Sequence, residues 1–141
     1  MGFAWREQLS VGNDVIDTDH KYLVDLINQV EEVLKTKNRK ALSDVLDSLS
    51  RYAQVHFARE EKIAQAAGFA GSSQLGHSHQ QLTQQLEEIK GEMLQAQADW
   101  SSSAVEHFVS FLRRWLIEHV IKEDLLMKDT LKRFSPRFDP R

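Results

Sequence analysis

Four histidines, His20, His56, His79 and His119, are spaced so that each falls on the apolar stripe of a different predicted helix. Carboxylates accompany two of them: Glu60 follows His56 by four residues, and Glu123 and Asp124 follow His119 by four and five. Residues four apart on a helix share a face one turn apart, so His56 and Glu60 can point at one centre. A buried polar group without a partner costs about 1–3 kcal/mol, and an unpaired charge more. Such groups on apolar stripes must therefore satisfy one another or a metal ion. One histidine of this kind is explained as a hydrogen-bonded core residue; one on each of four stripes implies a metal site inside a helical bundle.

The ligand types narrow the metal. Cysteine is absent, which excludes thiolate zinc sites and cysteine-held iron–sulfur clusters and leaves imidazole and carboxylate. Mixed nitrogen and oxygen ligation with open positions favours iron, with zinc as the competitor. Carboxylates can bridge two cations, and helical bundles hold di-iron or di-manganese centres in this way. After His119 a regular helix favours Glu123 as donor, since a five-residue step to Asp124 rotates off the face unless a bulge widens the helix. Spacing leaves both open. His107 lies off the stripe set by Phe108, Leu112 and His119 and is expected to be solvated, as is the Arg113-Arg114 pair; Phe57, Phe108, Phe111 and Trp115 are expected in the core.

The elements that position these groups follow from periodicity. An irregular arm over 1–17 carries Trp5, Leu9, Val11 and Ile16. Asp17 or Thr18 can cap a first helix with Leu23, Ile27, Val30 and Leu34 on its stripe. A second helix from Arg39 or Lys40 carries Leu42, Val45, Leu46, Leu49, Ala53, His56, Glu60 and Ile63 before Gly68 ends it. Residues 68–73 form a loop, and His79, Leu82, Leu86, Ile89 and Met93 mark a third helix whose start is blurred by Gly76. Ser103 with Glu106 forms a capping-box pattern ahead of a fourth stripe, Val105, Phe108, Leu112, Trp115 and His119. A tail over 134–141 contains both prolines and is expected to lie loosely on the surface. The fold class is all-α, an up-down-up-down antiparallel four-helix bundle with an N-terminal arm, formed by one domain over 1–141.

Composition removes other classes. The net charge is −3, with basic residues scattered among acidic ones, so no basic stripe exists for nucleic acid. No run approaches the roughly 20 apolar residues that span a bilayer, and the N-terminus has no leader pattern. A cytoplasmic protein is the expectation.

Three ordered segments carry a family resemblance: Trp5…Leu9-Ser10-Val11-Gly12…Ile16-Asp17-Thr18-Asp19-His20-Lys21-Tyr22-Leu23, then His56-Phe57-Ala58-Arg59-Glu60-Glu61, then Trp115-Leu116-Ile117-Glu118-His119-Val120-Ile121-Lys122-Glu123-Asp124. Together they resemble a bacterial hemerythrin over nearly the whole chain. The resemblance implies two non-haem iron ions with a bridging oxo or hydroxo group, and O₂ or another small diatomic as ligand. It implies Glu60 and Asp124 as bridges, His20 and His56 on the iron that keeps an open position, and His79 and His119 on the other. It chooses Asp124 over Glu123, and it implies that Leu23, Trp115 and Val120 wall the ligand pocket.

One position departs from the pattern. The family has a His-x-x-x-His pair at the start of its third helix, whereas this chain has Leu75-Gly76-His77-Ser78-His79. One ligand of the second iron is thereby missing, so that iron is expected to bind weakly, His77 is a candidate substitute only if the helix starts irregularly, and a single-metal site is the third outcome. The leading expectation is reversible O₂ binding for storage, delivery or sensing, by a binding protein rather than an enzyme. The alternatives are di-iron redox catalysis on peroxide, ferrous iron or nitric oxide, and a metal-poor helical interaction module. No protein partner follows from the sequence.

Overall fold

In the computed structural model of the chain, which describes residues 3–95 and 100–140, the first helix, α1 (Asp14–Thr36), starts from Asn13 rather than from Asp17 or Thr18. The Asn13 side chain accepts from the backbone N–H groups of Val15 and Ile16 at 3.0 and 3.1 Å, satisfying two of the donors a helix start leaves free. Asp17 instead ties down the arm, accepting from Ser10 Oγ at 2.5 Å and from the Val11 N–H at 3.0 Å. Farther out, Asn28 clasps the Phe3 backbone by two hydrogen bonds, 3.0 and 2.9 Å long. The first two residues of the arm and Arg141 of the tail lie outside the described residues.

Lys37 ends α1 in the left-handed region at φ 60°, and Asn38 at once caps α2 (Arg39–Ala66) by accepting from the Ala41 N–H at 3.0 Å. Two residues thus reverse the chain. At the far end of α2, Gly68 at φ +76° lets the Phe69 N–H bond back to the Ala64 carbonyl at 2.9 Å. The third helix, α3 (Ser72–Gln95), therefore begins within the expected loop. The fourth, α4 (Ser102–Lys122), is capped by Ser101 and not by Ser103. Trp100 explains the choice: it is buried, its Nε1 donates to the Met93 carbonyl at 3.2 Å, and it shares the core with Val105, so an apolar staple brackets the cap and fixes where the helix enters.

Neighbouring pairs α1/α2, α2/α3, α3/α4 and α4/α1 close an antiparallel four-helix bundle, with no strand among the described residues. Among the described residues no helix is long and apolar enough to cross a membrane. Past α4 the chain makes a 3₁₀ turn, Asp124–Met127, and a short helix, α5 (Lys128–Leu131). The tail that follows is pinned and does not lie loosely: the Asp14 N–H donates to the Pro136 carbonyl at 2.7 Å, and Asn13 Nδ2 donates to the Phe138 carbonyl at 2.9 Å.

The buried apolar side chains form two separate bodies. The larger runs through Leu23, Ile27, Leu46, Leu49, Leu112 and Leu116 toward the α1–α2 connection. The smaller gathers Val11, Ile16, Ile63, Ala64, Leu75, Met127 and Leu131 at the opposite end, with Phe138 of the tail packed against it. What separates them is polar.

Candidate metal centre

Between the two bodies lie six buried polar side chains, one each from α1, α3, α4 and the 3₁₀ turn and two from α2: His20, His79, His119, Asp124, and His56 with Glu60. None is more than 5% exposed. Glu60 divides its two oxygens between two histidine pairs, and Asp124 divides its own between one histidine of each pair. Glu60 Oε2 is 3.3 Å from His20 Nε2 and 3.1 Å from His56 Nε2, while its Oε1 is 2.9 Å from His79 Nε2 and 3.4 Å from His119 Nε2. Asp124 places Oδ2 3.0 Å from His20 Nε2 and Oδ1 3.0 Å from His119 Nε2. The result is two groups of four donors, His20/His56/Glu60/Asp124 and Glu60/His79/His119/Asp124, each with its ligand atoms within 4.8 Å of one another.

Hydrogen bonding among these groups does not account for the arrangement. His20 Nε2, His56 Nε2, Glu60 Oε2 and both Asp124 oxygens are buried without a hydrogen bond, although they lie about 3 Å from one another. His79 Nε2 and His119 Nε2 face each other at 3.2 Å, where at most one can donate. Lone pairs that converge on common points are the pattern of metal donors. Two donors at about 2.1 Å from one ion, at right angles, stand about 3.0 Å apart, which is the spacing found. The donor set fits a pair of divalent cations.

Electrostatics point the same way. Burial raises the Glu60 carboxyl, but the facing imidazoles of His56, His119 and His20 outweigh it and hold that group well below the usual range. Burial lowers His20, yet Asp124 and Glu60 overcome this and raise it to about 9. The same balance raises His56, through Glu60 and Asp19, and His119, through Asp124, Glu123 and Glu60. Without an ion, then, His20, His56 and His119 are all shifted toward their protonated forms.

Three of the four imidazoles are oriented from behind by a carboxylate on Nδ1. His56 Nδ1 donates to Asp19 at 3.0 Å, His79 Nδ1 to Glu61 at 3.0 Å, and His119 Nδ1 to Glu123 in a short contact. Asp19 is itself caged: it accepts from Tyr52 Oη at 2.5 Å and from both arms of the Arg59 guanidinium at 3.0 and 2.7 Å. Despite burial, these bonds hold Asp19 below its ordinary value, while burial and the Asp19 bond push Tyr52 up to about 12. His20 Nδ1 has no such partner among the described residues; the Trp5 ring lies beside the His20 ring, with centroids 5.9 Å apart. Phe57, expected simply as core, stacks on His79 with centroids 4.2 Å apart and rings 14° from parallel.

Asp19 and Glu61 escaped sequence reasoning, though Asp19 precedes His20 and Glu61 follows Glu60; the third acid, which helical spacing favours as a donor, is Glu123, just before Asp124. The choice between the last two is settled by where α4 stops. The Glu123 N–H makes a final bond to the His119 carbonyl at 2.9 Å, Glu123 turns to φ −124° and ψ −55°, and the 3₁₀ turn swings Asp124 inward to full burial. The helix ends and tightens; no bulge widens it.

Leu75 sits one turn before His79 and is 2% exposed, inside the smaller apolar body. His77 is exposed on a regular stretch of α3, so it does not substitute. Beside it, Gly76 gives room to Glu61: a Cβ there would come within 3.0 Å of Glu61 Oε1. A groove of about 610 Å³ between α2 and α3 exposes this pair and the outer edge of His79. Leu23, Trp115 and Val120 are all buried in the larger body, one turn after His20, one turn before His119 and directly after it, and Trp115 Nε1 donates to the Leu82 carbonyl at 2.9 Å.

Comparison with known proteins agrees with this geometry. Residues 11–131 match the family model described as the hemerythrin HHE cation binding domain. A bacteriohemerythrin of Stenotrophomonas maltophilia is 27% identical over 135 residues, covering 96% of this chain and 85% of its own. One from Pseudomonas aeruginosa is 28% identical over 129 residues, covering 92% and 81%. Among solved structures, wild-type hemerythrin superimposes with a TM-score of 0.77 at 25% identity, over 92% of this chain and 97% of that one.

Proposed function

The chain belongs to the hemerythrin family of HHE cation-binding domains, and on that premise we propose that it holds two iron ions between its helices and takes up dioxygen reversibly. The observation that carries the reading is that Glu60 splits its oxygens between two histidine pairs and Asp124 splits its own between His20 and His119, so that one buried layer offers two adjoining four-donor positions. His20 and His56 would hold one ion, His79 and His119 the other, with both carboxylates shared. Iron, when bound there, supplies electrons that hold dioxygen and recovers them on release.

The rest of the task falls to side chains. Asp19, Glu61 and Glu123 accept hydrogen bonds from the Nδ1–H groups of three imidazoles, which turns each Nε2 lone pair inward and makes it a better donor. Leu23, Trp115 and Val120 present apolar surface at the layer, excluding water and with it the protons that would make uptake irreversible. Phe57, stacked on His79, covers one face of that ring.

The test is anaerobic loading with ferrous iron, a count of iron per chain, and then air. Two irons per chain and a visible charge-transfer band that fades on degassing and returns on re-aeration are expected. A colourless product at full loading, or a colour that never reverses, would sink the reading.

A further inference from the structure

The donor layer has an apolar floor as well as an apolar ceiling. On the side of the smaller body an apolar residue stands one turn from the donors of three helices and of the 3₁₀ turn: Ile16 four before His20, Ile63 three after Glu60, Leu75 four before His79, and Met127 three after Asp124. None is more than 2% exposed. The pinned tail covers this end through Phe138, and Asn13, the buried polar residue nearby, has its side chain engaged with Val15, Ile16 and Phe138. No hydrogen-bonding group among these residues remains to greet water or an anion.

The two halves of the layer are chemically equal, each with two imidazoles and one oxygen from each of the same two carboxylates. Iron with such ligands takes up to about six donors, so four protein atoms leave room on both ions. On α3, the position one turn before His79 holds the alkyl chain of Leu75, buried in the smaller body, which cannot coordinate.

We propose that the His79/His119 half carries a second ligand position, bounded by Leu75 and its apolar neighbours, for a small neutral diatomic molecule. The inference rests on the di-iron reading above and deepens it: the chain would take two diatomic ligands, one on each face of the donor layer. The dry floor selects for neutral, compact ligands and against hydrated anions, because nothing there replaces a lost hydration shell.

Nitric oxide is the probe, titrated anaerobically into the ferrous protein after its iron has been counted, with uptake read from the loss of free gas and from the spectrum. Wild type should take up two per chain. Leu75→His should fall to one by adding a donor, and Leu75→Phe should fall to one by bulk while keeping both irons; circular dichroism verifies that each variant is folded. Two irons with a single nitric oxide in wild type would overturn this inference and leave the di-iron reading standing. Two nitric oxides persisting in both variants would also overturn it, and fewer than two irons in wild type would overturn both.

Discussion

Gly76→Ala separates the fold from the metal site. Glycine inside a helix is unfavourable by about 1 kcal/mol relative to alanine, so the substitution alone should strengthen α3. The new Cβ, however, comes within 3.0 Å of Glu61 Oε1 and 3.7 Å of its Cδ. Glu61 is 35% exposed at its side chain and can swing into the α2/α3 groove, which removes the clash together with its 3.0 Å bond from His79 Nδ1. Losing one partly exposed bond costs about 0.5–1.5 kcal/mol, so in the metal-free protein the two effects nearly cancel, and Tm should move by less than about 4 °C. The metal-loaded protein has no such balance. Freeing a ligating histidine from its outer partner weakens metal binding by about 10–100-fold, or about 1.4–2.8 kcal/mol. Chelator competition against wild type should show that drop in one of two stepwise affinities, and adding Glu61→Ala to Gly76→Ala should cost little more, because both act through the same bond. Unchanged metal affinity, or full additivity of the two substitutions, would refute the reasoning.

Two further outcomes follow from the site. In the metal-free chain His20 is raised from 6.5 to about 9, since Asp124 and Glu60 overcome the effect of burial; its protonation stabilises the fold fully below about pH 6.5, and that stabilisation, on the order of 3 kcal/mol, is lost as pH rises through 9. A bound metal displaces those protons, so melting curves with and without metal should diverge as pH rises from 6.5 to 9, and parallel curves would contradict the account. Asp19→Asn keeps the shape but removes the charge that Arg59, Tyr52 and His56 share; metal affinity of the His20/His56 half should fall about 10–100-fold by chelator competition, and a change under twofold would show that the cage does not orient His56.

The donors were legible because a polar group on an apolar stripe demands a reason. His20, His56, Glu60, His79 and His119 all stand on stripes that the sequence spaces clearly, and Asn38 followed by Arg39 marks the start of α2 where it was expected. What was hidden depends on distant chain. Asn13 gains its place as a cap partly through Phe138, 125 residues away, which no local pattern displays. Asp124 points inward because α4 stops at Lys122 and the turn beyond it buries Met127 and Leu131, a tertiary decision that helical spacing alone assigns the other way. Asp19 and Glu61 lie beside the stripes and resemble ordinary solvated acids until the facing imidazole is in view. Ser101, Ser102 and Ser103 are nearly equivalent caps in sequence, and the burial of Trp100 chooses among them.

The interruption of the core bears on how this bundle comes apart. Its two apolar bodies meet across a sheet of imidazoles and carboxylates, and oil does not transmit cohesion through such a boundary. With cations in place the boundary would act as a rivet, since α1 to α4 and the 3₁₀ turn would each grip one or both of two adjoining points, and the whole bundle would yield at once. With protons in their place the grip is softer, and the smaller end, with the α2–α3 connection, α5 and the tail, becomes a unit that can breathe while the larger body stays closed. Metal loading then governs cooperativity as well as stability, and the end that loosens when metal is lost is the end that holds Leu75.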